Sequence, residues 1–292
     1  REPLYHTVLE RYVQLITRNA VTQGIFPEGG LSRDGRLRPA KIGLLDYALG
    51  AARDPEVAKR MVLIPVALNY DRVLEDRTLI RELRAREGGE RVHRLRQAGE
   101  VLHYVGWNVT RALTGRWRRY GRAAVTVGAP MKVLPWLEAQ RARHGDVLAL
   151  PRDRRLPVVQ TLCDEVMRRI GAIIPVTPVA LACAAIQSFD RDFIPRRDLL
   201  ARMEEMRDLL VEMNAKVLRA DRDIAETFDR AWRMLAMRRM LAAGGDGYAV
   251  LPGGRELVSY YANGIAHLLG PYEAGVRARD ALPVEAATAR PR

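Results

Sequence analysis

The sequence predicts an α/β fold in which a mixed sheet with flanking helices covers residues 1–150 and an all-helical C-terminal domain covers residues 151–292. The first observation is that the first half alternates short apolar runs of strand length with amphipathic stretches, a pattern typical of α/β proteins. The second is that the apolar spacing after residue 157 is nearly all helical. A polar, proline-bearing stretch over 145–157 separates the two patterns, and we interpret it as a linker.

The composition is that of a globular protein with an anionic partner. The chain has 292 residues, of which 48% are apolar and 28% charged, and its formal net charge is +13. Such a basic chain suits nucleic acid, a phospholipid surface or phosphorylated small molecules. Its two cysteines, Cys163 and Cys183, both lie in apolar helical patterns, which argues against a disulfide framework and favours a reducing compartment.

The elements of the first half follow from the spacing of apolar residues. A helix is predicted over residues 4–18, because its apolar residues form a stripe, namely Leu4, Val8, Tyr12, Leu15 and Ile16. The run over 61–68 is continuously apolar, which is typical of a buried strand in a parallel sheet. The same reasoning predicts further strands over 21–26 and 123–127, and helices over 41–52, 72–86 and 135–143.

The second half is predicted to be helical apart from one short piece. Residues 170–188 form its longest nearly uncharged run. Because this run contains Pro175 and Pro178, we interpret it as the start of a buried helix with proline near its first position, and not as a membrane span. The other predicted elements are helices over 161–170, 197–218, 221–241 and 256–269 and a strand-like piece over 248–251.

The candidate site is the stretch F-P-E-G-G-L-S-R-D-G-R-L at residues 26–37. Glycines let backbone N–H groups approach a ligand closely and arginine side chains suit phosphate, so the stretch predicts an anion-binding loop after a strand. Its G-x-x-x-x-G-R pattern differs from a nucleotide-binding P-loop, which has Lys and then Ser or Thr after the second glycine. The G-x-S-x-G elbow of serine hydrolases is absent, and no Cys/His spacing indicates zinc.

The other basic residues receive structural interpretations. The arginine-rich run over 116–122 predicts a solvated face, with a phosphate or membrane contact as the alternative. It lacks the interleaved aromatic residues that are expected of single-strand nucleic-acid binders. A structural or surface role is expected for the five histidines, which are His6, His93, His103, His144 and His267.

The loop and the apolar run after it resemble two conserved blocks of a known family, the glycerol-3-phosphate 1-O-acyltransferases of the bacterial, membrane-associated type. The residues that resemble the third block are F-P-E-G-G-x-S-R-x-G-R-L, then Pro39, Lys41, Gly43 and Leu45. Those that resemble the fourth block, at a fitting spacing, are Leu63-Ile64-Pro65-Val66, then Tyr70, Asp71, Val73, Glu75 and Glu82-Leu83. Weaker resemblance over 128–131, 175–186 and 260–267 extends it to nearly the whole chain.

The resemblance implies a partial glycerophosphate acyltransferase domain and an activity. Such an enzyme moves an acyl group from acyl-CoA or acyl carrier protein to the 1-hydroxyl of glycerol 3-phosphate and yields lysophosphatidic acid for phospholipid biosynthesis. It works at an anionic membrane surface, on the cytoplasmic face of the membrane. The resemblance implies no metal and no cofactor, the acyl donor being a co-substrate, and nucleic acid is not an expected partner.

The resemblance also implies roles for residues of the loop. Gly29 and Gly30 are expected to allow close approach of the substrate. Arg33 and Lys41 are expected to hold its phosphate. Glu28 is expected to hydrogen-bond a glycerol hydroxyl or to brace the loop.

Three further residues complete the expected site, and a fourth departs from it. Ser32 belongs to the substrate-binding set, while Phe26 and Pro65 are expected to shape the site. Leu31 departs from the family, whose third block usually has Arg at this position, so one phosphate contact of the family is not expected here.

The catalytic motif of the family is not found in this chain. In the family a histidine of an H-x-x-x-x-D motif acts as general base on the hydroxyl, and the aspartate orients that histidine. The nearest match here is His103, but Asn108 stands where the aspartate is required. Because the family places this motif before the glycine-rich loop, and because the helical pattern is already under way at Arg1, we expect a truncated chain that is inactive alone.

Other functions stay open. The missing motif and Leu31 fit a catalytically dead membrane-binding or scaffolding relative, and the net charge alone fits a nucleic-acid binder. Among enzymes, dihydroxyacetone-phosphate acyltransferases share the two blocks. Lysophosphatidate acyltransferases have a similar loop but lack the long helical C-terminal region, which therefore favours glycerol 3-phosphate as the substrate.

Overall fold

The computed structural model describes residues 3–87 and 121–270 of the chain. These residues divide into two compact units. The first unit holds residues 3–31, 37–68 and 125–174, and the second holds residues 32–36, 69–87, 121–124 and 175–270. Residues 116–120 of the arginine-rich run, His93 and His103 lie outside the described residues. The predicted domain boundary at residue 150 is a different division and stays a prediction.

Helices and short strands alternate along the chain, which is compatible with the predicted α/β class. In chain order the elements are α1 (Pro3–Arg18), α2 (Gly43–Leu49) with a 3₁₀ turn after it (Gly50–Arg53), α3 (Pro55–Arg60), β1 (Val62–Leu63), β2 (Val66–Tyr70), α4 (Asp76–Glu87), β3 (Ala123–Val127), β4 (Met131–Lys132), α5 (Val133–His144), α6 (Arg152–Ala172), α7 (Pro178–Gln187), β5 (Phe193–Pro195), α8 (Arg196–Glu212), α9 (Ile224–Met237), β6 (Leu241–Gly244), β7 (Gly247–Val250) and α10 (Gly254–Asn263). The helix predicted over 4–18 and the strand predicted over 123–127 are confirmed by α1 and β3.

The core of the first unit is built from apolar faces of its helices. Leu45 and Leu49 of α2 are four positions apart, and Val159 and Leu162 of α6 are three apart, so each pair shares one helix face. Cys163 belongs to the same core, and burial raises the pKa of its thiol to about 11. This cysteine is therefore a neutral packing residue, and it forms no disulfide.

A buried ion pair ties α2 to α6. Asp46 is only 4% exposed, and Arg155 donates to it from Nε to Oδ1 at 2.9 Å and from Nη2 to Oδ2 at 3.1 Å. Hydrogen bonding to the carboxylate raises the pKa of Arg155. Because both carboxylate oxygens receive a charged donor, the pair offsets the cost of removing Asp46 from water.

The apolar run over 61–68 does not form the buried parallel strand that we predicted. β1 pairs antiparallel with β4, with Val62 opposite Lys132. Pro65 has no N–H to donate, so it separates β1 from β2, although its carbonyl oxygen accepts the Gly128 N–H at 2.8 Å. Alternate side chains of a strand point to opposite faces, and here one face is exposed, comprising Val62, Ile64, Val66 and Leu68.

Two further predictions for the first unit are corrected. Residues 21–26 form no strand, because no other described segment pairs with them; the carbonyl group of Phe26 closes a turn instead. The predicted linker over 145–157 is helical from Arg152 onward, since α6 accommodates Pro157 in its second turn.

In the second unit, α7 is the buried helix that the run over 170–188 predicted. Thr177 caps it, because its Oγ1 accepts the Ala180 N–H at 3.2 Å. Pro178 occupies the first helical position, where its missing N–H is not needed. All residues over 178–186 are buried. In the described part of the chain, no helix is both long enough and apolar enough to cross a membrane.

The second unit also contains a sheet, so the prediction of an all-helical C-terminal domain is wrong. The strands lie in the order β5, β7, β6, and neighbours run antiparallel. Gly247 lets β7 approach β5, because a Cβ there would lie 2.3 Å from the carbonyl oxygen of Ile194. Gly245, with a φ of +54°, lies in the tight turn between β6 and β7. The strand-like piece at 248–251 predicted only β7, and the sequence analysis missed β5 and β6.

Removing the charge of Asp46 should destabilise the protein. Asp46→Asn leaves the guanidinium of Arg155 buried without its counter-charge, and breaking a buried pair costs about 3–5 kcal/mol. Urea unfolding should therefore show a lower midpoint with an unchanged slope. The control is Glu56→Gln, which removes a salt bridge between the exposed Glu56 and Lys59 and should leave the midpoint in place. A midpoint that Asp46→Asn does not move contradicts this account.

Candidate functional site

The first half of the glycine-rich loop is a tight turn in the first unit. Gly29 has a φ of +64°, a left-handed conformation that favours glycine, and its N–H donates to the carbonyl oxygen of Phe26 at 3.0 Å. The N–H of Lys41 donates to the carbonyl oxygen of Pro27 at 2.7 Å. These two bonds bring Lys41, eleven positions beyond the predicted glycine pair, back onto the loop.

Lys41 lies directly over Gly29. A Cβ added to Gly29 would lie 2.7 Å from Cδ of Lys41, whereas nothing lies within 4 Å of the same point at Gly30. Lys41 is exposed, and among the described residues no carboxylate pairs with its ammonium group. Three of the predicted substrate-binding residues therefore lie together, with a cation beside exposed glycine backbone.

Glu28 braces this turn. Its Oε2 accepts the N–H of Arg38 at 3.1 Å, which joins the start of the loop to the segment that leaves it. The sequence left two roles open for Glu28, namely to hydrogen-bond a substrate hydroxyl or to brace the loop. The contact with Arg38 braces the loop.

A cavity of about 480 Å³ adjoins the loop within the first unit. The loop side contributes Glu28, Gly30 and Lys41 to its lining. The other walls are largely apolar and comprise the exposed face of β1 and β2, with Val62, Ile64, Val66 and Leu68, and the side chains of Cys163, Val166, Met167, Ile170 and Ile174 on and just after α6. A cavity of this volume is typical of small-molecule sites, and its lining suits a ligand with a polar head and an apolar chain.

Three residues near the loop have different exposures. Phe26 is 82% exposed and lines the cavity, and Leu31 is 64% exposed. Pro65 is buried at the junction of β1 and β2 and is not part of the cavity lining. Pro65 therefore shapes the strands, while Phe26 presents its ring to a ligand or to solvent.

The second half of the loop, residues 32–36, belongs to the second unit and is held by its own hydrogen bonds. The Ser32 hydroxyl lies 2.9 Å from Oδ1 of Asp34 and 2.8 Å from the carbonyl oxygen of Arg36. The same Oδ1 accepts the N–H of Arg36 at 3.1 Å. Ser32, which the resemblance assigns to substrate binding, is therefore engaged in the turn itself.

Arg33 pairs with α4. Its Nε donates to Oε2 of Glu82 at 3.0 Å, and the two side chains are 20% and 26% exposed. This bond uses one edge of the guanidinium group, and no hydrogen bond between described residues uses its two terminal nitrogens. The structure thus explains Glu82, a residue of the fourth block, as the partner that orients Arg33.

The sequence did not predict that α10 supports the loop. Gly35 has a φ of +83°, and a Cβ there would lie 2.0 Å from the carbonyl oxygen of Tyr260. The side-chain amide of Asn263 donates to the carbonyl oxygen of Asp34 at 2.7 Å. The weak resemblance over 260–267 was the only signal for these contacts.

A buried carboxylate joins α10 to α4. Asp76 is fully buried, and its Oδ2 accepts the hydroxyl of Tyr261 at 2.7 Å while its Oδ1 pairs with Arg238. The Tyr261 oxygen in turn accepts the N–H of Val73 at 3.1 Å. Burial raises the pKa of Tyr261, and it raises that of Tyr260 to about 12, so both phenols stay protonated.

The described residues around the cavity provide no general base of the kind that the family uses. No histidine is among the described residues that line the cavity, and His6 instead lies 3.2 Å from the hydroxyl of Tyr47. No three His, Cys, Asp or Glu side chains of residues 3–87 and 121–270 are placed to hold a metal ion.

Comparison with known proteins identifies the family. A family model described as "Glycerol-3-phosphate acyltransferase C-terminal region" matches residues 107–271, more than half of the chain. A glycerol-3-phosphate acyltransferase of Xanthomonas axonopodis pv. citri is 28% identical over 272 residues, which are 91% of this chain and 29% of that protein. One of Aeromonas hydrophila is 28% identical over 270 residues, which are 91% of this chain and 32% of that protein.

The chain spans about three tenths of the length of these relatives. The family predicted from the two sequence blocks is confirmed. The chain belongs to the glycerol-3-phosphate acyltransferase family, and the family model that it matches describes the C-terminal region of these proteins.

Proposed function

We propose that this chain binds the substrates for acyl transfer to the 1-hydroxyl of glycerol 3-phosphate, the reaction that yields lysophosphatidic acid for phospholipid synthesis. Membership of the family and the names of its relatives support this proposal. The observation that carries it is the placement of Lys41 over Gly29 at the edge of a cavity whose other walls are apolar.

The phosphate of glycerol 3-phosphate is assigned to the turn. The ammonium group of Lys41 supplies a charged donor, and the exposed Gly30 leaves room for an anion to approach the backbone. Leu31, where the family usually has Arg, adds apolar surface in place of a further cation.

The acyl chain is assigned to the apolar walls of the cavity. Each methylene group that leaves water contributes about 0.8 kcal/mol, so walls formed by Ile64, Val66 and Met167 favour a long chain over a short one. The donor is acyl-CoA or acyl carrier protein. In the transfer the 1-hydroxyl oxygen forms a bond to the thioester carbon, the carbon–sulfur bond breaks, and the hydroxyl proton ends on the thiol that leaves.

A base must take that proton while the new bond forms, and the described cavity residues include no histidine for this task. We therefore expect the chain by itself to bind both substrates without turning them over. A transfer assay with labelled glycerol 3-phosphate tests this expectation, and steady release of lysophosphatidic acid by the chain alone contradicts it.

We also propose that the protein acts at the cytoplasmic face of an anionic membrane. Apolar side chains of α1 face outward along one stripe, with exposures of 74% for Leu4, 59% for Val8, 58% for Tyr12 and 57% for Leu15. Such a stripe on a chain of net charge +13 suits the surface of an anionic bilayer. Sedimentation with anionic but not with neutral vesicles is expected, and equal sedimentation with both contradicts the electrostatic part.

Lys41→Met should weaken binding of glycerol 3-phosphate. The change removes a charged hydrogen bond worth about 1.5 kcal/mol or more, which corresponds to about tenfold or more in Kd. Titration calorimetry with glycerol 3-phosphate measures it. The matched control is Lys59→Met, which removes an exposed lysine that pairs with Glu56 in the same unit. Equal affinities of the two variants would rule out Lys41 as a phosphate ligand.

Ile64→Trp should weaken binding of long-chain acyl-CoA and spare short-chain acyl-CoA. Ile64 lines the cavity and is 54% exposed, so a larger side chain there fills the space assigned to the acyl chain without disturbing the core. The control is Val127→Trp on β3, which is 65% exposed and does not line the cavity. If both variants bind palmitoyl-CoA with the affinity of the parent protein, the acyl group lies outside this cavity.

A further inference from the structure

The loop half formed by residues 32–36 packs against the last turn of α10 without room for a side chain. The carbonyl oxygen of Tyr260 lies 2.0 Å from the point where Gly35 would carry a Cβ, and Cβ of Asn263 lies 3.4 Å from it. The residue before Gly35 is bonded to the same helix, because Nδ2 of Asn263 donates to the carbonyl oxygen of Asp34 at 2.7 Å. The loop and the helix thus meet backbone to backbone.

Asn263 contacts a residue that lies far from it in the sequence. It is the last residue of α10, where side chains commonly bond to the carbonyl groups of their own helix. Its amide instead reaches a carbonyl group 229 positions earlier in the sequence. A contact of this kind does little for the helix itself and fixes the path of the loop.

The loop is held from a second side by α4. Glu82 of α4 accepts the hydrogen bond of Arg33, the residue beside Asp34. The start of α4 is fixed to α10 by the buried bond between Asp76 and Tyr261. Residues 32–36 are therefore clamped between two helices that a buried carboxylate joins.

We propose that Asn263 is a positioning residue for substrate binding. Its hydrogen bond to Asp34 sets the backbone direction at Arg33 and so fixes the terminal guanidinium nitrogens, which Glu82 leaves available, as donors to a phosphate group. This inference rests on the proposed function. It assigns Asn263 no contact with substrate and no part in the chemistry.

Asn263→Ala tests the proposal, with Ser259→Ala as the matched control. Ser259 is half-buried on the same helix, and no hydrogen bond between described residues involves its hydroxyl. Loss of one net hydrogen bond corresponds to about 3- to 10-fold in Kd for glycerol 3-phosphate and for inorganic phosphate alike. Binding of palmitoyl-CoA should not change in either variant. Hydrogen exchange at the Arg36 amide, which bonds to Asp34, should accelerate only in Asn263→Ala.

A double-mutant cycle separates positioning from general stability. Gly35→Ala places a methyl group against the Tyr260 carbonyl and lifts the same loop from the same helix. If the two variants act through one contact, Asn263→Ala should weaken phosphate binding by less than about twofold in the Gly35→Ala background. Full additivity of the two effects overturns the proposal.

The outcomes also separate this inference from the proposed function. If the parent chain binds neither glycerol 3-phosphate nor phosphate, both are overturned. If the parent binds and Asn263→Ala binds equally well, the inference fails and the function stands. Should Asn263→Ala lower the free energy of unfolding, Asn263→Asp, which keeps the shape and removes the donor, repeats the test; parent-like affinity in that variant overturns the inference.

Discussion

The support of loop residues 33–35 depends on the buried carboxylate of Asp76. A charge with no exposure is costly unless donors surround it, and Asp76 receives the Tyr261 hydroxyl and the Arg238 guanidinium. The hydrogen bond from Tyr261 of α10 to this charged carboxylate contributes about 1.5–3 kcal/mol, which holds the start of α4 against α10. Glu82 of α4 holds the side chain of Arg33, and Asn263 of α10 holds the carbonyl group of Asp34.

The first unit contributes a turn and a cavity. There the turn at Gly29 places Lys41 at the edge of a cavity with apolar walls. Pro65 interrupts the apolar run, and the alternation of side chains along β1 and β2 leaves every second one exposed. A phosphorylated molecule that receives an acyl chain needs a cation for its phosphate and an apolar surface for the chain. The family to which the chain belongs is named for a substrate of this kind.

The sequence predicted those features that depend on neighbouring residues. The apolar period predicted α1, the proline near the first helical position predicted α7, and the glycines predicted a loop at residues 26–37. Features that depend on a distant partner were missed or wrong. Residues 21–26 have strand-like side chains but no described strand to pair with, and β5 becomes a strand only because Gly247 admits it.

The support of the loop by α10 could not be predicted for the same reason. Gly35 has to be glycine because of a carbonyl group on Tyr260, and nothing near Gly35 in the sequence indicates that neighbour. Arg33 has the right chemistry for phosphate, but its pairing with Glu82, forty-nine positions later, decides which of its nitrogens remain available.

The central claim is that the turn at Gly29 and Lys41 binds the phosphate of glycerol 3-phosphate. Its most direct test is a crystal structure of the chain at a glycerol 3-phosphate concentration that saturates binding in solution. The account predicts phosphate oxygens about 2.7–3.2 Å from Nζ of Lys41 and from the backbone N–H of Gly30. Glycerol 3-phosphate bound at another place, with Lys41 facing solvent, would contradict it.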